Sequence, residues 1–217
     1  MYDEIVAFLP QIYFILQGVF ITLKYSVTAV CLGLVIGTFL AVCKITDFKI
    51  LRIFAHSYTS VFRGTPLLIQ LTIIYFGLPG LLGTKLSIFS AGIIAFSFNS
   101  GAYVSEIIRA GITSVDKGQI EAANALGIPP ILRMKDIVLP QAFRKILPAL
   151  VNELINLTKE SALISIIGEM DLMRRAQIVS AETFTFFTPM LTAAAAYYIL
   201  VLIISSFAMA LEKRLAL

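Results

Sequence analysis

The chain has 217 residues, 59% of them hydrophobic and 14% charged, with a mean hydropathy of +0.91. This composition excludes an ordinary water-soluble domain and describes a polytopic membrane protein, with room in one domain for about five spans of ~20 residues. The net charge of +4 sits beside apolar segments, where it orients the chain in a lipid bilayer; it does not point to nucleic acid.

Several chemistries find no residues here. There is no GxxxxGK(S/T) phosphate loop, so the chain by itself has no visible way to hydrolyse ATP. No catalytic residue and no metal cluster is assigned; the sole histidine, His56, reads as a packing or interfacial residue. Cys31 and Cys43 fall about three turns apart on one helix, too far to bridge, and read as small core or lipid-facing residues. Asp3 and Glu4 replace the basic start of a cleaved signal peptide.

In chain order, residues 1–17 carry Phe8, Leu9, Ile12, Tyr13 and Leu16 near helical spacing, and 1–21 is expected as an outer segment with an interfacial helix. The first span is 22–43, with Lys24 snorkelling and Gly33 and Gly37 on a close-packing face. Lys44, Lys49 and Arg52 mark a cytoplasmic turn. The second span, 53–78, is broken at Arg63-Gly64-Thr65-Pro66, because Pro66 removes a backbone donor. Such a break is tolerated where it faces protein or a water-filled cavity. An outer turn at 79–85 leads to the third span, 86–112. Residues 114–147 form a cytoplasmic region, and Pro148 begins a fourth span that ends near Gly168. The outer loop 169–188 holds a short helix with Arg174 and Arg175; the fifth span is 190–211. Ten basic residues fall in loops assigned inside, against Lys85, Arg174 and Arg175 outside. That bias predicts the N-terminus outside and the C-terminus inside.

The stretch 121–140, EAANALGIPPILRMKDIVLP, cannot be membrane, since it carries Glu121, Arg133, Lys135 and Asp136. A short helix is predicted over 116–126, with Ala122, Ala123 and Ala125 on its surface, where another backbone could come close. Gly127 suits the left-handed residue that ends a helix, and Pro129 or Pro130 suits the first turn of the next. An ordinary loop between spans is seldom this long and helical.

Glu121-Ala122-Ala123, then Gly127 after three residues and Ile137-Val138-Leu139-Pro140 after nine more, resembles the EAA loop of permease subunits of bacterial ATP-binding-cassette (ABC) importers. Arg63-Gly64-Thr65-Pro66-Leu67-Leu68, Ala102-Tyr103 with Glu106-Ile107 and Arg109, and Lys159-Glu160-Ser161 resemble its polar amino acid branch, which often has Asp and Thr-Ser where this chain has Glu160 and Ser161-Ala162. The likeness runs from about Gly18 to the C-terminus. It implies an all-α, type I importer transmembrane domain in the bacterial cytoplasmic membrane. The implied partners are a second permease subunit (a homodimer or a similar heterodimer), two cytoplasmic ATP-binding subunits and an extracytoplasmic substrate-binding protein. The loop would be the coupling helix, docking through Glu121, Ala122, Ala123 and Gly127. This chain would bind no cofactor; ATP and Mg belong to the partner ATPase.

Charged groups at membrane depth are costly and mark a pathway or a partner. On the third span, Asn99, Tyr103 and Glu106 share a face; Glu106–Arg109 reads as a structural pair, and Asn99 and Tyr103 as pathway residues. On the fourth, Asn152, Glu153, Asn156, Lys159 and Glu160 fall within an arc of roughly 120°, which lines a route, packs on a second subunit, or does both. Arg63 and Thr65 at the break join these candidates; Arg63 holds a cargo carboxylate, pairs with an acidic gate residue, or snorkels. Glu153 and Glu160, roughly 10 Å apart along the axis, suit a cargo with positive charge at both ends, such as arginine, lysine or a histidine-like molecule. The expected function is inward passage of such an amino acid by alternating access. Glutamine or another neutral or acidic amino acid is the alternative cargo. A passive channel or regulatory membrane module is the alternative class.

Overall fold

The structure, a computed structural model, describes residues 2–214. Residue 1 and residues 215–217, the extremes of the expected single domain, lie outside the described residues. Among the described residues every regular element is helical.

Helix α1 (Tyr2–Leu16) passes into α2 (Gly18–Ile45) through Gln17, which stays helical and donates its N–H to the Tyr13 carbonyl at 3.1 Å. Phe8–Ile45 is therefore one apolar run of 38 residues. At 1.5 Å per residue it measures about 57 Å, against ~30 Å of hydrocarbon, so part of it projects beyond the lipid. The expected interfacial helix is thus the extension of the first span, because nothing at Gln17 stops the helix.

Helix α3 (Lys49–Gly64) meets α4 (Leu67–Thr72) at a bend of 102°, so the second span is broken where expected. A π turn, Ile73–Gly77, leads into α5 (Leu78–Leu82), and α6 (Ile88–Thr113) returns. Then come α7 (Lys117–Ala125), α8 (Pro130–Leu132), a π turn at Arg133–Val138, and α9 (Leu139–Glu160) with a 3-10 tail, Ser161–Ile167. Helices α10 (Leu172–Thr183) and α11 (Phe187–Arg214) complete the chain.

Both π turns stand just before a proline. Leu78 N–H reaches the Ile73 carbonyl ahead of Pro79, and Leu139 N–H reaches Met134 ahead of Pro140. Widening the helix there accommodates a residue that cannot donate to the carbonyl four before it. Pro148 does not begin a helix; it lies inside α9, which starts at Leu139. Packing of Ala142, Ile146 and Leu150 against Ile107 and Ile108 holds the helix through that one missing bond.

Among the described residues, three helices are long and apolar enough to cross a membrane, and the bent pair Lys49–Gly64 and Leu67–Leu81 makes a fourth. The remaining expected span, the fourth, falls on α9, which has the length but carries Arg144, Lys145, Glu153, Lys159 and Glu160.

The centre of the fold is α2 against α6. A Cβ on Gly33 would stand 2.7 Å from Cβ of Ser100, and one on Gly37 2.6 Å from Cβ of Val104. The small-residue face therefore packs inside the protomer. Around it, Tyr25, Leu71, Phe96, Leu157 and Ile164 form the main buried cluster, joining α2, α4, α6, α9 and the 3-10 tail. Cys43 is buried in a second cluster and Cys31 is exposed, both free.

Candidate functional site

Pro66 has no N–H, so the carbonyl four residues earlier, Phe62, loses its helical partner. Two side chains replace it: Gln70 Nε2 at 2.8 Å and Asn99 Nδ2 at 3.1 Å. Gln70 Nε2 also lies 3.0 Å from the Thr65 carbonyl and 2.9 Å from its Oγ1, while Gln70 Oε1 accepts from Asn99 Nδ2 at 3.0 Å. Thr65 Oγ1 donates to the Val61 carbonyl at 2.8 Å. Asn99 and Gln70 are both buried. Asn99 is therefore a clamp on the break as well as a cavity residue. Gln70 escaped the sequence reading; its signal was a lone amide inside the apolar run Leu67–Thr72.

The break opens onto a cavity of about 370 Å³ lined by Arg63, Thr65, Asn99, Tyr103 and Glu160, with Gly64, Pro66 and Leu67. The Arg63 guanidinium stands 5.1 Å from the Tyr103 ring centroid, a cation–π contact. A second open cavity, about 340 Å³, is lined by Asn156, Lys159 and Glu160 with Ala162 and Leu163. Glu160 belongs to both. Among the described residues, Arg63, Lys159 and Glu160 form no ion pair.

The other two residues of the polar arc are placed differently. Glu153 is 6% exposed and turned toward Ser100 of α6. Asn152 is exposed but lines neither cavity. Glu153 and Glu160 lie on one side of α9, but α6 covers the first and the break leaves the second open. The two carboxylates do not share a cavity.

The expected Glu106–Arg109 pair is present, Nη2 to Oε2 at 2.8 Å and Nε at 3.0 Å. Its third member was misplaced. Lys44 is not a turn residue; its side chain is fully buried, with Nζ 2.7 Å from Glu106 Oε1 and 2.7 Å from Ser105 Oγ. Burial without a partner would be prohibitive, so the residue belongs to the interior only because α6 brings Glu106 alongside. The same contact puts the α2–α3 turn at the end of the molecule that carries α7.

Asp116 caps α7, its side chain accepting from Gly118 N–H at 2.7 Å. At the other end Gly127 has φ +67, as expected, with Gly127 N–H to Asn124 O at 3.0 Å and Ile128 N–H to Ala123 O at 3.0 Å, a Schellman closure. Pro130 opens the next helix. Arg133 pairs with Asn124 across the turn. Glu121 and Ala122 are exposed, but Ala123 is 2% exposed and faces inward, so it presents nothing to a partner. Leu126 and Ile131 are instead the prominent apolar groups, 78% and 81% exposed.

Residues 33–217 match the family described as binding-protein-dependent transport system inner membrane component. The chain belongs to this family. It is an ABC transporter permease, a transport component that passes through the membrane several times. A protein of Rickettsia conorii named as a glutamine transport system permease is 63% identical over 99% of each chain. The arginine transport system permease protein of Bacillus subtilis is 54% identical over 96% of this permease and 95% of its own length. A crystal structure of an amino acid ABC transporter with histidines superposes with a TM-score of 0.90 at 42% identity, over 99% of this permease and 98% of that chain. An inward-facing methionine ABC transporter matches with a TM-score of 0.78 at 22% identity, over 95% and 98%, a likeness of fold. The expected all-α type I architecture is the one observed.

Proposed function

We propose that this permease passes a polar amino acid inward, one of two such subunits around a route driven by two ATP-binding partners and fed by an extracytoplasmic binding protein. The observation that carries the reading is the cavity shared by Arg63 and Glu160. An amino acid brings a carboxylate and an ammonium, and each needs a partner away from water. Arg63 offers a planar fork to the carboxylate and Glu160 a counter-charge to the ammonium. Tyr103 and Thr65 line the same cavity. Relatives named for glutamine and arginine, and an amino acid ABC transporter solved with histidines, support the cargo class.

Glutamine fits this cavity best. One open carboxylate satisfies one ammonium, and Glu153, the second carboxylate that a long cationic cargo needs, is covered by α6. The arginine reading keeps the support of the Bacillus subtilis relative. Docking of the ATPases falls to α7 and its turn, through Glu121, Ala122 and the Gly127 bend, with Leu126 and Ile131 as apolar knobs. ATP and Mg act on the partners. The basic-residue bias puts this end of the molecule, with the C-terminus, in the cytoplasm and the N-terminus outside.

The test is ATP-dependent uptake of labelled glutamine and arginine into proteoliposomes holding the permease, its ATPase and its binding protein. Glu160→Gln should abolish uptake of whichever is carried. Wild-type uptake in that variant would remove the cavity from the mechanism. Arginine uptake without glutamine uptake would replace the neutral cargo by the cationic one, and flux without ATP would point to a passive channel.

A further inference from the structure

Helix α3 carries a row of polar residues of which the cavity at the break uses only the last, Arg63. Arg52, His56, Ser60 and Arg63 recur at spacings of four, four and three, which stack them on one face, and all four are exposed. Ile50 at 83%, Phe54 at 52% and Val61 at 58% lie on the neighbouring face, with Ser57 among them and Ile53, 54% exposed, at its border with the row. Ala55 and Thr59 are buried on the third, Ala55 in the cluster with Leu40 and Cys43. The helix thus has a packed face, an apolar face that suits lipid, and a polar stripe between them. A polar stripe at membrane depth must meet water or protein.

Two open cavities follow one another along it. The upper one is the site at the break, about 370 Å³. The lower one, about 430 Å³, is lined by His56, Ser57, Ser60 and Val61, and contains no carboxylate. One turn separates Ser60 from Gly64. The stripe ends at Arg52 and Lys49, on the side of the molecule that carries α7.

We infer that this stripe is the lower half of the translocation route, with His56, Ser57 and Ser60 forming a second, transient site for the carboxylate of the cargo. The inference rests on the proposed transport reading. Hydroxyl and imidazole groups are weaker carboxylate partners than the Arg63 fork. A cargo released by Arg63 therefore meets a shallower hold one step further on, then the basic end of α3 at Arg52 and Lys49.

The test uses a cysteine-free permease (Cys31→Ser, Cys43→Ala) with its ATPase and binding protein in proteoliposomes. His56→Cys, Ser60→Cys and Thr65→Cys are introduced singly. A membrane-impermeant, negatively charged thiosulfonate is applied from the α7 side, with glutamine or arginine present or absent. At about ten times the Kd, the transported amino acid should slow modification of Cys at 56 and 60 about tenfold, and modification should block uptake. Protection at 65 but not at 56 or 60 overturns the second site and leaves the proposed function standing. Cysteines at 56 or 60 that are closed to the reagent and cross-link between two copies show an interface seam, which also overturns it. No protection at any of the three positions removes the proposed function as well.

Discussion

Asn99 and Gln70 meet at 3.0 Å, and both reach the Phe62 carbonyl that Pro66 leaves without its helical donor. An unsatisfied buried carbonyl costs ~1–3 kcal/mol. Gln70→Leu or Asn99→Leu should therefore lower the thermal unfolding midpoint in detergent. The double variant should lose more than the two single losses added, because either amide alone still serves the Phe62 carbonyl and only the double variant strands it. Additive losses would mean that the two amides work independently.

The Lys44–Glu106 pair predicts an order of damage. Glu106→Leu strands a fully buried ammonium and should cost ~3–5 kcal/mol, whereas Lys44→Met leaves Glu106 with Arg109 and should cost less. Chemical denaturation of the two variants in mild detergent reads the order directly. A larger loss in Lys44→Met would make Arg109 the minor partner.

At Gly127 the backbone alone decides. A Cβ there would meet no atom within 4 Å, so a substitution suffers only from φ +67. The left-handed penalty for an ordinary residue is roughly 1–2 kcal/mol, less for Asn. Gly127→Val should misplace the turn after α7 and lower the amino acid imported per ATP hydrolysed, while Gly127→Asn stays near wild type. Equal coupling in both variants would show that the turn geometry is not used in docking.

Asp171, in the turn before α10, caps that helix through Arg174 N–H at 2.9 Å and accepts from the Tyr197 hydroxyl at 3.1 Å. Its burial pushes the carboxyl up to about 6, from an ordinary 3.8. The folded chain therefore holds this proton more tightly than the unfolded one. The contribution to stability is greatest below the unfolded value and declines as pH rises through about 6. Unfolding of wild type and Asp171→Asn, compared across that range, should show the wild type losing ground up to about pH 6 and holding level above it. A constant difference at every pH would contradict it.

What could be read from the sequence was what local rules govern. Pro66 had to break its helix, Gly127 suited a left-handed turn, and Glu106 and Arg109, three apart, faced each other. Periodicity also identified the polar side of α9. It could not say which helix would lie alongside. Glu153 and Glu160 share that side, yet α6 buries one and the break exposes the other. Lys44 looked like a cytoplasmic turn residue because only its neighbours in sequence were visible. Pro148 looked like a boundary because its missing hydrogen bond is local, while the packing that compensates for it is not. Ala123 looked like part of a docking face for the same reason: helical spacing gives a face, and only the fold says which way it turns.

From Pro130 to Glu160 the backbone stays helical, through one π turn. That is a rod of about 47 Å with the tip proposed to dock on the ATPase at one end and the open carboxylate at the other. A tilt of about 10° about the tip swings Glu160 by about 8 Å, enough to carry a side chain out of reach of Arg63. The lever needs no relay of small rearrangements between its ends. Its one compliant place, the widened turn at Arg133–Val138, lies close to the tip, so bending there spares the long arm that bears Glu160.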